Sequence, residues 1–170
     1  MTIYFTIRYS IYNSMKEMNV VIVGLYTYFN VPVRILHPLA DRLEGVKAHT
    51  IFYKNYDSNL FSLPTEKEEK LFLDNIIKIN PKVVAISLLS PYVLIAKRIT
   101  ELVKKHTEAV VVWGGVGPTI TPEEHIKMTD VICIGEGERA FEELILAVRD
   151  KKDYSNIKNL WVNKETEVIK

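Results

Sequence analysis

The sequence predicts an α/β fold: five parallel strands in the order 2-1-3-4-5, helices on both faces, and a small C-terminal hairpin. Three observations predict it. Short β-branched runs alternate with amphipathic stretches along most of the chain. Several of those runs are apolar throughout, as strands covered on both faces must be. Two of them, Val110-Val111-Val112-Trp113 and Val131-Ile132-Cys133-Ile134, open directly into glycine loops, Gly114-Gly115 and Gly135-Glu136-Gly137-Glu138. In a doubly wound, three-layer sheet of this Rossmann-like or flavodoxin-like kind, such strand ends line a ligand crevice at the carboxyl edge.

Asn19–Leu25 (NVVIVGL) is the first strand, and residues 26–30 (Tyr26-Thr27-Tyr28-Phe29-Asn30) form the loop at its carboxyl end. Asn30 is placed to cap a helix over Val31–Glu44, with Pro32 in its first turn and Gly45 ending it. Pro38 predicts a kink or a late restart within that helix. Val46–Tyr53 is the second strand, with a more exposed face. After a polar loop at 54–63, Thr65 caps a helix to Ile79, with Glu68 completing a capping box and Leu71, Phe72, Ile76 and Ile79 forming its apolar stripe. Pro81 leads into the third strand, Lys82–Leu88, and Ser90-Pro91 opens a helix to about His106. The glycine strand follows. A short helix from Pro122 to Met128, capped by Thr121, leads to the Asp130–Ile134 strand. The last long helix covers Glu138–Arg149. Leu160-Trp161-Val162 and Val168-Ile169 flank a polar turn and read as a hairpin added after the core.

The 170 residues fit one domain, with 15–153 as its body and 154–170 as the hairpin, where a further, catalytic domain would begin. Residues 1–14 read as an extension: an over-long gene start or, alternatively, a membrane-surface anchor. They are too short to span a bilayer and lack the pattern of a secretory signal. A hydrophobic fraction of 48% supplies a folded interior, and a net charge of +1 without blocks of like charge argues against nucleic acid as the main partner. One cysteine excludes an internal disulfide and makes a reducing, cytoplasmic setting the expectation.

The four strand ends at the carboxyl edge, Tyr26–Asn30, Ser87–Tyr92, Gly114–Thr119 and Gly135–Glu138, are rich in glycine, hydroxyls and aromatics and hold few charges besides Glu136 and Glu138. This composition suits a large, mostly neutral ligand held by backbone and hydroxyl contacts.

Three of these motifs carry a resemblance. Ser87-Leu88-Leu89, Gly114-Gly115 and Gly135-Glu136-Gly137-Glu138, in this order and each at a strand end, resemble the cobalamin (vitamin B12)-binding domain found at the N-terminus of many radical S-adenosylmethionine enzymes. The likeness covers roughly residues 19–162. It implies that cobalamin is the cofactor and that Ser87 hydrogen-bonds its displaced dimethylbenzimidazole tail. It further implies that Gly114, Gly115 and Val116 let that tail lie against bare backbone, and that Gly135, Glu136 and Gly137 flank its nucleotide. Leu88 and Leu89 complete the serine motif, and Thr27 and Tyr28 of the first loop would sit under the corrin ring.

Two departures from the family's pattern refine the expectation. Members of the mutase and methionine-synthase type carry Asp-x-His-x-x-Gly after strand one, whose histidine ligates cobalt. Here the loop is Leu25-Tyr26-Thr27-Tyr28-Phe29-Asn30, and His37 lies farther on, inside a predicted helix. The cofactor is therefore expected base-off with no histidine on cobalt. The radical enzymes also hold three irons of a 4Fe–4S cluster with Cys-x-x-x-Cys-x-x-Cys, and the single Cys133 cannot do so. No cluster is expected in this chain, and radical chemistry would need a separate radical S-adenosylmethionine partner.

Each residue also has a plainer reading. Ser87 could cap the next helix, the glycine pair could serve a tight turn, and Glu136 and Glu138 could be carboxylates drawn to a helix start. Cys133 and Trp113 read as core. His49, His106 and His125 read as surface residues without ligand spacing. The first-loop tyrosines could shield an empty cleft or stack under a corrin. A flavodoxin-like nucleotide- or small-molecule-binding regulatory domain is the alternative function, although neither Gly-x-Gly-x-x-Gly nor Gly-Lys-Ser/Thr is present. No nucleophile–base pair or metal set points to an enzyme acting alone.

Overall fold

The computed structural model describes residues 17–26, 30–55, 63–164 and 166–170. Its first five strands are parallel: β1 (Met18–Tyr26), β2 (Val46–Asn55), β3 (Val83–Ser87), β4 (Val110–Gly114) and β5 (Val131–Cys133). The expected order, 2-1-3-4-5, holds. The hairpin is not an appendage. Its strands β6 (Leu160–Asn163) and β7 (Val168–Ile169) continue the sheet, with β6 antiparallel to β5 and Cys133 opposite Leu160, so the sheet has seven strands. Leu160 and Val162 are buried beside β5, which would otherwise be a three-residue edge.

Helices α1 (Val31–Asp41) and α6 (Glu138–Arg149) cover one face of the sheet, and α2 (Glu66–Ile79) and α3 (Val93–His106) cover the other. Asn30 Oδ1 accepts the N–H of Val33 at 3.2 Å, so the predicted cap of α1 is present. The helix runs through Pro38 without a break and ends earlier than expected, at Asp41. Pro38 lies on the exposed side of the helix, where the loss of one main-chain donor costs least. Gly45, at φ +72°, turns the chain into β2. The capping box of α2 is complete: Thr65 Oγ1 accepts from Glu68 N at 3.3 Å, and Glu68 Oε2 accepts from Thr65 N at 2.7 Å. Such a cap contributes about 1 kcal/mol. Helix α6 buries Phe141, Leu144 and Ile145, each stabilising the fold by about 1.5–3 kcal/mol.

The segment after β4 departs from expectation. A short helix, α4 (Val116–Ile120), precedes α5 (Pro122–His125), which passes into a 3-10 turn over Ile126–Met128. The Thr121 side chain does not cap α5; its hydroxyl lies 3.1 Å from His125 Nδ1. His125 is a core residue rather than a surface one, with 3% of its surface exposed. Its ring meets Trp113 edge-on, and Nδ1 donates to the Thr121 carbonyl at 2.7 Å. A histidine on a four-residue helix gives no periodicity from which its burial could be read. Among the described residues no helix is long and apolar enough to cross a membrane.

Candidate functional site

The pleat of the sheet sorts side chains by size. On β1, β3 and β4, Gly24 is in register with Ser87, and Ser87 with Gly114. Cys133 carries this row onto β5, since a Cβ placed on Gly114 would lie 3.8 Å from Cys133 Cβ. One step further inside, on the same face, lie Ile22, Ala85 and Val112. The opposite face at the same level carries Leu25, Ile86, Leu88 and Trp113, all fully buried. Aromatic rings close that side: Tyr26 stacks on Tyr92 with centroids 4.7 Å apart, Tyr53 meets Phe72 at 5.0 Å, and Trp113 Nε1 donates to Thr100 Oγ1 at 2.9 Å.

The small-residue face is hollow. A cavity of about 190 Å³ lies between it and helices α1 and α6. Ile22, Ala85, Val112 and Cys133 form its floor, and Val31, Pro32, Ile35 and Leu36 of α1 form one wall. Phe141 and Leu144 of α6, with Leu160, form the other wall; Ser87, Gly114, Gly115 and Gly135–Glu138 frame the mouth at the carboxyl edge.

The glycine loops are held by their own backbone. Gly115 has φ +108°, and a Cβ there would meet the Leu88 carbonyl oxygen at 2.7 Å, so only glycine lets β4 turn this close to β3. Leu88 N donates to the Gly114 carbonyl at 2.8 Å. Gly135, at φ +73°, has open space where its Cβ would be, and it donates its N–H to Thr119 Oγ1 at 3.0 Å. Thr119 Oγ1 in turn donates to the Gly115 carbonyl at 2.8 Å. Phe141 N closes on the Gly137 carbonyl, and Asn159 Nδ2 on that of Glu136. The Ser87 hydroxyl, by contrast, has no hydrogen-bond partner among the described residues.

Burial, with the Glu138 carboxylate as a smaller cause, pushes the Cys133 thiol up to about 11, so it faces the cavity as a neutral thiol. Among the described residues no group of three or more His, Cys, Asp or Glu side chains is placed to hold a metal ion. A dry apolar cavity of about 150 Å³ takes a benzene ring. One of about 190 Å³ matches a fused bicyclic base and is too small for a macrocycle. The size and lining of the cavity therefore suit a flat bicyclic base such as the tail base of a cobalamin.

Of the residues singled out in the sequence, Ser87, Gly114, Gly115, Gly135, Glu136 and Gly137 converge on this one mouth. Leu88 points its side chain to the opposite face, and Leu89 and Val116 are exposed and do not line the cavity. Ser87 caps no helix; it sits on the cavity wall. Thr27 and Tyr28 lie outside the described residues. Cys133 is buried, as core residues are, and lines the cavity as well. Sequence reasoning missed the helix wall from Val31 to Leu36, which no local signal marks.

Residues 54–145 match the family described as the B12 binding domain. Comparison with curated proteins gave no match. Among solved structures, the chain is similar to the radical S-adenosylmethionine methyltransferase TsrM from Kitasatospora setae with cobalamin and a 4Fe-4S cluster bound. The TM-score is 0.70 at 18% identity, covering 89% of this chain and 30% of that one. The same enzyme with tryptophan substrate and an S-adenosylmethionine analogue gives 0.69 at 17% identity, with the same coverage. Selenomethionine-labelled apo OxsB, a cobalamin-dependent S-adenosylmethionine radical enzyme, gives 0.69 at 16% identity, covering 94% of this chain and 22% of that one. The chain thus shares their fold and spans less than a third of the length of either enzyme.

Proposed function

Since the chain belongs to the B12 binding domain family, we propose that it is a cobalamin-binding module that takes the cofactor base-off, its nucleotide tail in the cavity between the sheet, α1 and α6. The observation that carries this reading is the pair Ser87–Gly114, two minimal side chains in register on neighbouring strands at the mouth of a cavity of about 190 Å³.

Each residue has a task in that reading. The unpartnered Ser87 hydroxyl hydrogen-bonds the tail base. Gly114 leaves the floor flat beneath it, and Gly115 and Val116 carry the chain out of its way. Gly135, Glu136 and Gly137 flank the nucleotide, with the two carboxylates Glu136 and Glu138 accepting hydroxyl and amide donors. Thr27 and Tyr28 support the corrin. The loop after β1 contains no histidine, and His37 pairs its Nδ1 with Thr50 Oγ1 at 2.9 Å on the flank of α1. No protein imidazole then reaches cobalt from below.

Bound cobalamin supplies a cobalt centre that can carry and release an alkyl group. The protein's part is to bind it, keep water from the tail and hold the reactive face outward. One cysteine cannot anchor a 4Fe–4S cluster, so the radical partner is a separate subunit or domain.

The test is direct. The purified protein is mixed with hydroxocobalamin, freed of excess, and its visible spectrum is recorded; a corrin spectrum is expected, and a colourless protein overturns the reading. Reduction to the cobalt(II) form then gives an electron paramagnetic resonance spectrum. The base-off state shows no nitrogen splitting on the cobalt lines. A nitrogen-split signal would refute the absence of an axial base.

A further inference from the structure

Several of the polar groups around the cavity mouth are engaged before any ligand arrives. The Gly114 carbonyl accepts from Leu88 N, and the Gly115 carbonyl from Thr119 Oγ1. The Gly135 N–H is spent on Thr119 Oγ1, and the Gly137 carbonyl on Phe141 N. Behind this mouth the walls are hydrocarbon, and the one thiol, Cys133, is held neutral. The side-chain polar atoms left to a ligand are the Ser87 hydroxyl and the carboxylates of Glu136 and Glu138. Among the described residues no lysine or arginine lines the cavity.

We propose that this arrangement selects the tail of the cobamide: the site takes a largely apolar benzimidazole-type base and discriminates against a purine in the same position. This rests on the cobalamin reading above and adds to it a chemical class of tail. A benzimidazole has one ring nitrogen free to accept a hydrogen bond once it leaves cobalt, and the Ser87 hydroxyl is one donor. The match is one to one. An adenine presents further ring nitrogens and an exocyclic amine along the edge that would enter the cavity. Those atoms must leave water, and the walls formed by Ile22, Val112, Leu36, Phe141 and Leu144 offer them no partner. A site with no matching groups rejects a polar ligand because its donors and acceptors are left unpaired. The glutamates share the mouth with Ser87; as carboxylates they can accept from the ribose hydroxyls but offer the ring nitrogens of a purine no donor.

The test titrates the wild-type protein with three ligands, following the corrin absorbance and the quenching of tryptophan fluorescence. The ligands are cobalamin, the cobamide that carries adenine in place of dimethylbenzimidazole, and cobinamide, which has no nucleotide tail. Cobalamin is expected to bind tightest, with the adenine form at least tenfold weaker and cobinamide also at least tenfold weaker. Equal affinity for the cobalamin and adenine forms, or a preference for adenine, overturns the selectivity while leaving the cobamide-binding reading intact. Affinity for cobinamide equal to that for cobalamin shows that the tail is not seated in the cavity and overturns it as well. Failure of all three to bind removes the underlying reading, an outcome distinct from the other two.

Discussion

Gly135 donates its backbone N–H to Thr119 Oγ1 at 3.0 Å. Because that hydroxyl also donates to the Gly115 carbonyl at 2.8 Å, one side chain on α4 ties together the loops after β4 and β5. The tie spans the cavity mouth. Thr119→Val removes both bonds and keeps the shape, whereas Thr119→Ser keeps both. Thr119 is exposed, so water can take over the freed groups and the stability cost stays near 1 kcal/mol or below. Cobalamin affinity should fall several-fold in the valine variant and stay within about twofold of wild type in the serine variant. Equal affinity in all three proteins, measured by visible titration, would show that the tie does not shape the mouth.

The order of the strands was legible in the sequence because β-branched runs and helix stripes differ in period. The meeting of Ser87, Gly114 and Gly135 at one edge followed from that order, since parallel strands place their carboxyl ends together. What the sequence did not disclose was which face holds the cavity. That choice depends on register: Ser87 and Gly114 lie side by side only once β3 and β4 are paired. Nor did local pattern reveal that the hairpin joins the sheet, because β5 is three residues long and its need for a neighbour is a tertiary fact. His125 was misplaced for a similar reason: its burial comes from Trp113, twelve residues away, rather than from the four-residue helix that carries it.

Gly115 and Gly135 both have positive φ, yet they should respond differently to alanine. At Gly115 (φ +108°, ψ −163°) the backbone lies in a region that only glycine occupies comfortably, and the new Cβ would meet the Leu88 carbonyl oxygen at 2.7 Å. Strain and clash together should cost about 3 kcal/mol or more. At Gly135 nothing lies within 4 Å of the Cβ position, so Gly135→Ala carries the left-handed conformational cost alone, about 1–2 kcal/mol. Urea denaturation of the two variants measures the gap; the ranking fails if Gly135→Ala is the more damaging.

Gly114 tests the cavity without testing the turn, since its backbone carries no positive φ. A Cβ there would sit at ordinary contact distance from Cys133 Cβ. The branches of Gly114→Val would project into the space above the floor. The variant should fold with a Tm close to that of wild type and lose at least tenfold in cobalamin affinity. Wild-type affinity in a folded Gly114→Val protein would place the tail elsewhere.

Cys133 reports on the same space. A thiol pushed up to about 11 holds only about 0.1% thiolate at pH 8, against roughly a quarter for an ordinary cysteine. Modification by a disulfide reagent should therefore run at least 100-fold slower than for free cysteine at pH 8. It should rise steeply toward pH 11, and saturating cobalamin should slow it further. A rate at pH 8 equal to that of an unfolded control would mean that the thiol is not shielded in the cavity.

His49 gives the fold a dependence on acid. The ring lies partly buried on β2 with Nε2 3.0 Å from Asn19 Oδ1, and Asn19 Nδ2 donates to the Ile79 carbonyl at 2.7 Å. Burial first, then Lys47 and His37, pull its pKa below the ordinary histidine value of about 6.5, against a smaller opposing pull from Asp41. The native state thus favours the neutral ring more than the unfolded chain does. The associated stability is fully present above pH 6.5. It declines as the pH falls from 6.5 toward the native pKa, because the unfolded chain takes up the proton first. His49→Gln keeps a donor toward Asn19 and cannot titrate. Chemical denaturation between pH 7.5 and 5 should show a shallower loss of stability in the variant than in wild type. Identical slopes in the two proteins would exclude His49 as the group responsible.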